Sequence, residues 1–384
     1  MDISERALEL HKKLRGKIEI NSKYPVKSLD DLALLYTPGV AAVSMEIFKN
    51  KESAYEYTSK WNTIAIITDG SRVLGLGDIG PEAALPVMEG KALLFKVFGG
   101  VDAIPICLAT QDTEEIINIV KKISPTFGGI NIEDIDSPRC FEIVDRLEKE
   151  LDTPVFHDDQ YGTGIVALAA LINALKIVKK DMGDVKIIIA GAGAAGVGIT
   201  KILLKAGAKN ILVTDSKGVI FRGRTENMNP YKENLANITN PENIKGGIED
   251  AVENADVLIA VTGKQGFITK EMVSSMSSDP IVFALSNPEP DINPNDAKDA
   301  GARIVATGRS DFPNQVNNSL AFPALFRAVF DSGAKKITDE MRLATAYALA
   351  DYIPADKLNE EYIIPKMTDA GIKESIVKAV LEKS

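Results

Sequence analysis

Two pairs of acidic residues close two predicted strands of this sequence. Glu133 and Asp134 stand near the end of GINIEDI, and Asp158 and Asp159 end TPVFHDD. Because parallel strands end at one edge of a sheet, these carboxylates would repel one another unless a cation neutralised them. Oxygen ligands favour Mg²⁺ or Mn²⁺ over zinc. The pattern predicts a hard divalent cation, although one acid of each pair could instead cap the helix that follows.

A glycine-rich turn, GAGAAG at residues 191–196, follows the apolar strand Lys186–Ala190 and opens a predicted helix. Gly191 permits a tight turn, Gly193 lets a pyrophosphate approach the backbone, and Gly196 allows close helix packing. The helix N-terminus supplies amide donors and the positive end of a dipole. We therefore predict a dinucleotide site whose residues include Gly191, Gly193, Ala194, Ala195 and Gly196.

Asp215 ends the strand after this turn, where a carboxylate can accept hydrogen bonds from the ribose of the adenosine half. It would repel the 2′-phosphate of NADP⁺, so we predict a preference for NAD⁺. Lys217, Arg222 and Arg224 follow closely and could pair with that phosphate, which leaves NADP⁺ open.

Several other polar residues have an ordinary structural explanation when each is taken alone. They are Tyr36 in LLYTPGV, Arg72 in TDGSR, Lys91 in PVMEGKALLF, His157 before the aspartates, Asn287 before Pro288, and Asn317 and Asn318. An Asn before Pro is often only turn chemistry. A lysine in an apolar helix either reaches solvent or is buried with a shifted pKa.

Strand and helix patterns alternate from Trp61 onward, after about 55 residues with two amphipathic helical segments. The first succession contains the strands NTIAIITD, DAIPICLA, GINIEDI and TPVFHDD. The second begins at the glycine-rich strand, continues through ADVLIAVTG, PIVFALSNP and ARIVATG, and ends in helices. This alternation predicts parallel sheets covered by helices.

We predict an α/β fold of two domains. Residues 1–160 form an N-terminal substrate and metal domain with a parallel sheet, and residues 161–384 form a Rossmann-type NAD(P)-binding domain with C-terminal helices. Ligands of such sheets bind beyond the carboxyl ends of the strands, so the site is expected in a cleft between the domains.

Composition excludes several classes of protein. The 384 residues are 45% hydrophobic and 26% charged, as in ordinary globular proteins, and 44 basic against 54 acidic residues give a net charge of −10. Nucleic acid is therefore not an expected partner. Cys107 and Cys140 have neither disulfide nor zinc spacing, which favours the reducing cytoplasm. No stretch reaches the about 18 apolar residues expected of a membrane span, so no membrane segment is expected.

The ordered motifs resemble those of the malic enzyme family in its short prokaryotic form. They are LLYTPGVA, TDGSRVLGLGDIGPEAALPVMEGKALLF, GGINIEDI, FHDDQYGTG, GAGAAG, FALSNP and FPNQVNNSLAFP, spread from about residue 36 to 325. The resemblance implies oxidative decarboxylation of L-malate to pyruvate and CO₂ with reduction of NAD(P)⁺, dependent on Mg²⁺ or Mn²⁺. It also implies decarboxylation of added oxaloacetate.

The resemblance also implies roles for individual residues. Lys91 would be the base, Tyr36 the acid, and Asp158 an aspartate near the lysine. Glu133, Asp134 and Asp159 would be metal ligands. The residues that would contact substrate are Arg72, Asn287 and Asn318, with Asn287 also beside the cofactor. Lys91 is expected to act as a neutral amine, with its pKa lowered by burial and by the nearby cation.

Two departures from the family pattern stand out. Tyr161 and Gly164 replace a different residue and an alanine in QYGTG, which bears on local helix packing. The chain stops at Ser384, so the regulatory sites of larger relatives are not expected.

Two other functions remain open from the residues. One is a metal-independent, two-domain dehydrogenase of another small substrate such as an amino acid, which would be indifferent to a chelator. The other is a silent NAD(H)-sensing protein, which would have no need of a divalent site. A homodimer or a higher homo-oligomer is expected for the enzyme.

Overall fold

The computed structural model describes residues 2–384 and contains two separate sheets. The first has the order β2-β1-β3-β4 and is parallel throughout. Its strands are β1 Thr63–Thr68, β2 Asp102–Cys107, β3 Gly129–Ile132 and β4 Val155–His157. Every residue of β1 is buried, because helices cover both faces of a parallel sheet.

The second sheet has the order β10-β9-β8-β5-β6-β7. Its strands are β5 Lys186–Ala190, β6 Asn210–Asp215, β7 Gly218–Val219, β8 Val257–Ala260, β9 Ile281–Ala284 and β10 Ile304–Thr307. All pairs are parallel except that of β6 with the two-residue β7, which the sequence patterns did not predict. The predicted α/β class, with one parallel sheet and one Rossmann-type sheet, is confirmed.

Helices surround both sheets. Those before and within the first succession are α1 Ile3–Leu14, α2 Leu29–Leu35, α3 Val40–Lys49, α4 Ala54–Tyr57, α5 Gly80–Leu94, α6 Thr113–Ile123, α7 Arg139–Glu150 and α8 Thr163–Val178. Those after it are α9 Ala194–Lys205, α10 Pro230–Ile238, α11 Ile248–Val252, α12 Lys270–Ser274, α13 Pro294–Asp299, α14 Phe322–Ser332, α15 Asp339–Asp351 and α16 Ile372–Leu381. Phe95–Gly99 and Asp158–Gly162 are π-helical turns.

Helix α14 follows the second sheet in the chain but packs on the first. The Phe326 ring lies 5.5 Å from that of Phe95 and 5.7 Å from that of Phe156. Added side-chain carbon at Gly129 would come within 2.9 Å of Phe326, so this close approach needs glycine in β3. The two predicted domains therefore share a helix, and the boundary near residue 160 stays a prediction.

The first four helices lie at the surface, and none of their described residues is buried. Most of the exposed large apolar side chains of the described chain belong to this N-terminal segment. They are Ile3, Leu8, Leu10, Leu14, Ile18, Ile20, Tyr24, Val26, Leu29, Leu32, Leu34, Leu35, Tyr36, Val40, Met45, Phe48, Tyr57 and Trp61. Apolar surface of this extent is typical of an interaction site.

Two helical stretches, Leu29–Lys49 and Asp158–Val178, are apolar and long enough to compare with membrane spans. Both pass by length and mean hydropathy alone, a test that buried core helices also pass. The second stretch is largely buried within the protein. The first is divided at residues 36–39 into helices of seven and ten residues, each shorter than the about 20 residues of a spanning helix.

Candidate active site

A buried lysine meets two carboxylates where strands β3 and β4 of the first sheet end. Helix α5 carries Lys91, whose side chain is 8% exposed. Ile132 of β3 pairs with His157 of β4, so the next residues, Glu133 and Asp158, emerge side by side. Lys91 Nζ lies 2.8 Å from Glu133 Oε1 and donates a hydrogen bond to Asp158 Oδ2. One ammonium thus joins two strand ends.

The carboxylates decide the charge of this lysine. Burial lowers the pKa of Lys91, but Asp158 and Glu133 raise it further, so the pKa lies above its ordinary value. This direction holds for the protein without a bound cation. The lowered pKa expected of Lys91 beside a cation stays a prediction.

Three acidic residues, one of which is the same Glu133, form a cluster next to Lys91. Glu133, Asp134 and Asp159 each offer a carboxylate oxygen, and these oxygens lie within 4.8 Å of one another. Burial and the neighbouring carboxylates raise the pKa of Glu133 well above its ordinary value and that of Asp134 to about 8. A divalent cation would relieve this repulsion, and an all-oxygen donor set fits Mg²⁺ or Mn²⁺.

Asp159 differs from its neighbours. Burial is the largest influence and disfavours its charge, but His157, Lys91 and the backbone amide of Asp134 together outweigh it and lower the pKa of Asp159. Its Oδ2 also accepts a hydrogen bond from Asp134 N at 3.0 Å. The carboxylate therefore stays ionised and oriented, as a ligand should be.

Helix capping does not explain the acidic pairs. The helix after Glu133 and Asp134 begins only at Arg139 and has no side-chain cap. Asp158 and Asp159 lie inside the π-helical turn rather than before a helix. Added side-chain carbon at Gly162 would overlap Asp158 Oδ1, so glycine leaves room for that carboxylate within the turn.

A cavity of about 880 Å³ brings the two sheets' polar residues together. Lys91, the metal-ligand candidates and Arg72 line it from the first sheet. From the second sheet and its loops come Gly193, Ala194, Ala195, Asn287 and Asn318. The exposed Arg72 reaches across the cleft, since added side-chain carbon at Gly263 would lie 3.2 Å from its Nη2.

The glycine-rich turn has the backbone geometry that the sequence suggests. Gly191 has φ +121°, and added side-chain carbon there would lie 2.7 Å from Val261 O. Carbon added at Gly196 would overlap Gly191 O, whereas carbon added at Gly193 would meet nothing closer than Ser137 Oγ at 3.9 Å. Gly193 caps α9. The turn thus offers bare amides at the helix N-terminus.

Asp215 stands at the end of β6, beside a neighbouring cavity that Gly191 and Gly193 also line. Its oxygens pair with Arg224 Nη2 at 2.6 Å and Lys232 Nζ at 2.7 Å. Burial disfavours the charged carboxylate, but these two cations lower the pKa of Asp215 overall. Arg222 bonds elsewhere, to Pro241 O.

Tyr36 lies apart from the other predicted catalytic residues. It is 70% exposed, follows the surface helix α2, and is absent from the lining of the cleft. The structure of one chain therefore does not bring Tyr36 to Lys91.

Sequence reasoning missed several residues that support the site. Asn131 donates a hydrogen bond to Glu133 Oε2 at 2.8 Å, and Lys91 Nζ lies 4.2 Å from the centre of the Phe322 ring. Buried Asp291 accepts from Thr262 N and Ser286 Oγ, which ties the loops after β8 and β9 together. No spacing in the sequence marks these residues, since each contact joins distant segments.

Comparison with known proteins gives the family. The model "Malic enzyme, N-terminal domain" matches residues 15–114 and 109–148, and "Malic enzyme, NAD binding domain" matches residues 160–383. The NAD-dependent malic enzyme of Geobacillus stearothermophilus is 54% identical over all of this chain and 79% of its own length. The bifunctional malic/malolactic enzyme of Bacillus subtilis is 51% identical over 99% of this chain and 92% of its own.

Solved structures agree. The NAD-dependent malic enzyme of Thermotoga maritima superposes with a TM-score of 0.94 and 47% identity over 98% of both chains. Fold and site define a two-domain NAD(P)-dependent oxidoreductase. The chain belongs to the malic enzyme family.

The glycine-rich turn generates a first prediction. Replacing Gly196 with Ala should raise the Kd for NAD⁺ at least about tenfold, because the methyl group overlaps Gly191 O and displaces the amides that face the pyrophosphate. Titration of the purified protein with NAD⁺ measures this. Gly183→Ala is the control, since carbon added there meets nothing closer than 3.6 Å. An unchanged Kd in Gly196→Ala would contradict this account of the turn.

Proposed function

We propose that this chain catalyses the oxidative decarboxylation of L-malate to pyruvate and CO₂ in the cleft between its two sheets, with NAD⁺ preferred to NADP⁺. One observation carries the proposal. A buried lysine, held by two carboxylates, adjoins a three-carboxylate cluster on the same cavity as the dinucleotide turn. The same residues would decarboxylate added oxaloacetate.

Glu133, Asp134 and Asp159 would hold Mg²⁺ or Mn²⁺, because their oxygens converge and their charges are otherwise unbalanced. When bound, such a cation withdraws electron density from the C2 oxygen of malate during oxidation and decarboxylation. Arg72 would bind a substrate carboxylate through its planar fork of donors. Asn287 and Asn318 would contact the substrate from the opposite wall, and Asn287 would also contact the cofactor.

Lys91 would accept the proton of the C2 hydroxyl, and Asp158 would orient its ammonium through their hydrogen bond. The lysine must be neutral to act as a base. A cation held by Glu133 would take up its charge, so that Asp158 would be the remaining carboxylate that supports the ammonium form. Tyr36 would donate a proton to C3 of enolpyruvate.

The metal requirement is tested by following NADH, pyruvate and CO₂ from L-malate, NAD⁺ and Mn²⁺, with and without EDTA. EDTA should abolish turnover. Asp159→Asn should raise the Mn²⁺ concentration for half-maximal activity at least about tenfold, with NAD⁺ binding nearly intact, because the dinucleotide turn belongs to the other sheet.

Asp299→Asn is the control, because it removes one exposed carboxylate on α13, away from the cluster. It should leave the Mn²⁺ requirement unchanged. Turnover that is indifferent to EDTA would remove the metal from the mechanism and favour a metal-independent dehydrogenase. NAD⁺ binding without any pyruvate would favour a sensor.

The enzyme would be a homodimer in which the N-terminal segment of one copy covers the other. Apolar side chains of α1 to α3 are too numerous to be left in water. A second copy is the natural occupant, since closed homodimers bury the same patch on both chains. The isolation of Tyr36 supports this arrangement, because a partner's N-terminal segment would bring its own Tyr36 toward the cleft that lacks one.

Mixing two inactive variants tests this arrangement. Tyr36→Phe and Lys91→Ala should each lose nearly all activity. After co-refolding in equal amounts, the mixture should regain about a quarter of wild-type activity, since half of randomly assorted dimers pair different chains and each has one intact site.

Self-mixed Tyr36→Phe provides the control for refolding. No gain in the mixed sample, with dimers present by light scattering, would mean that both residues act within one chain. A monomer in solution that binds vesicles would point to a membrane as the occupant of the apolar surface.

The preference for NAD⁺ rests on Asp215. Its carboxylate would face the ribose, and it engages Arg224 and Lys232, which are the cations best placed to bind a 2′-phosphate. NADP⁺ would have to compete with Asp215 for them and would also meet its charge.

Asp215→Ser should therefore shift the ratio of kcat/KM for NAD⁺ over NADP⁺ toward NADP⁺ by about tenfold or more, because it frees both cations. Asp256→Asn is the matched control, since Asp256 forms a similar pair with Lys180 before β8. A wild-type preference for NADP⁺ would overturn the assignment of Asp215.

Two coarser features complete the proposal. The boundary near residue 160 is supported by family-model matches that end at 148 and begin at 160. A cytoplasmic location is supported by the unpaired Cys107 and Cys140.

A further inference from the structure

Tyr161 sits in the turn that carries Asp158 and Asp159. The π-helical turn Asp158–Gly162 has two faces. Asp159 lines the catalytic cleft, whereas Tyr161 lines a separate cavity of about 570 Å³ between α7, α9 and α15. The ring is therefore attached to the same short turn that carries Asp158 and Asp159.

One cation stacks on the Tyr161 ring. The guanidinium carbon of Arg342 lies 3.6 Å from the ring centre, close enough for a cation–π stack. The Phe156 ring lies 5.6 Å away on the strand side. The ring thus packs on the core from the strand side, and the stack with Arg342 restrains it where it lines the cavity.

The guanidinium of Arg342 is held by carboxylates of two helices, α7 and α15. Its Nη2 lies 2.9 Å from Glu148 Oε1 of α7, and its Nη1 lies 3.0 Å from Asp339 Oδ1 of α15. Its Nε is buried without a hydrogen-bond partner. A guanidinium whose two terminal nitrogens are both paired presents a fixed plane to the ring, which a lysine could not do.

We propose that Tyr161, clamped by Arg342 and Glu148, is a positioning residue that holds the turn Asp158–Gly162 so that Asp159 can ligate a divalent cation. This rests on the metal site of the proposed function. Groups that orient a metal ligand typically change metal affinity by about 10- to 100-fold when removed. Tyr161 and Arg342 lie on the side of the turn away from the catalytic cleft, so they would position Asp159 without contacting substrate or cofactor.

The test measures Mn²⁺ binding to the purified protein without substrate, from the electron paramagnetic resonance signal of free Mn²⁺. Tyr161→Leu, which removes the aromatic face, should weaken binding about tenfold or more. Tyr161→Phe keeps the ring and should bind like wild type. Arg342→Lys keeps the charge but loses the plane, and should resemble Tyr161→Leu.

Lys205→Gln is the matched control. Lys205 lines the same cavity and pairs with Asp339, but it has no stack with Tyr161. It should leave Mn²⁺ affinity unchanged, and the Kd for NAD⁺ should be unchanged in every variant. A merely structural role would instead lower the melting temperature and both affinities together.

Wild-type affinity for Mn²⁺ in Tyr161→Leu, or an equal loss in Lys205→Gln, overturns the clamp and leaves the metal site standing. Should Tyr161→Leu not fold, Arg342→Lys decides the matter by the same criterion. Absence of Mn²⁺ binding by the wild-type protein would overturn the metal site itself, and the clamp with it.

Discussion

The contact of one buried ammonium with two carboxylates at neighbouring strand ends is the constraint on which the site depends. Removing charges from water is costly, and a buried ion pair survives only when its partners are held in place. Lys91 meets Glu133 and Asp158, and the aromatic face of Phe322 lies against it. Helix α5, two strands and helix α14 must therefore all be positioned before this contact can exist.

Local backbone features follow from that requirement. Asp158 occupies space that only Gly162 leaves free, within a π-helical turn that directs two consecutive aspartates to different partners. Turns of this kind are rare and often occur at functional sites. Glu133 is shared between Lys91 and the carboxylate cluster, so the charge of the lysine and the charge of the cluster are linked through one side chain.

The cavity lies between the two sheets, and each sheet contributes a different kind of residue to its lining. The first sheet gathers the charges, while the second presents the bare amides of the turn at residues 191–196 and the asparagine-bearing loops. Neither sheet alone forms the cavity. The exposed Tyr36 of the N-terminal segment lies outside this cavity within a single chain.

The sequence by itself determined the alternation of strands and helices, the glycine turn and the acidic strand ends, because these features arise from local periodicity and from residue types with narrow conformational uses. Gly191 with positive φ and Asp215 at the end of β6 are examples. Only the tertiary structure decided the charge of Lys91, the pairing of Asp215 with Arg224, the exposure of Tyr36 and the stack of Arg342 on Tyr161. Each of these depends on segments far apart in the chain, and no local pattern encodes the distance between such segments.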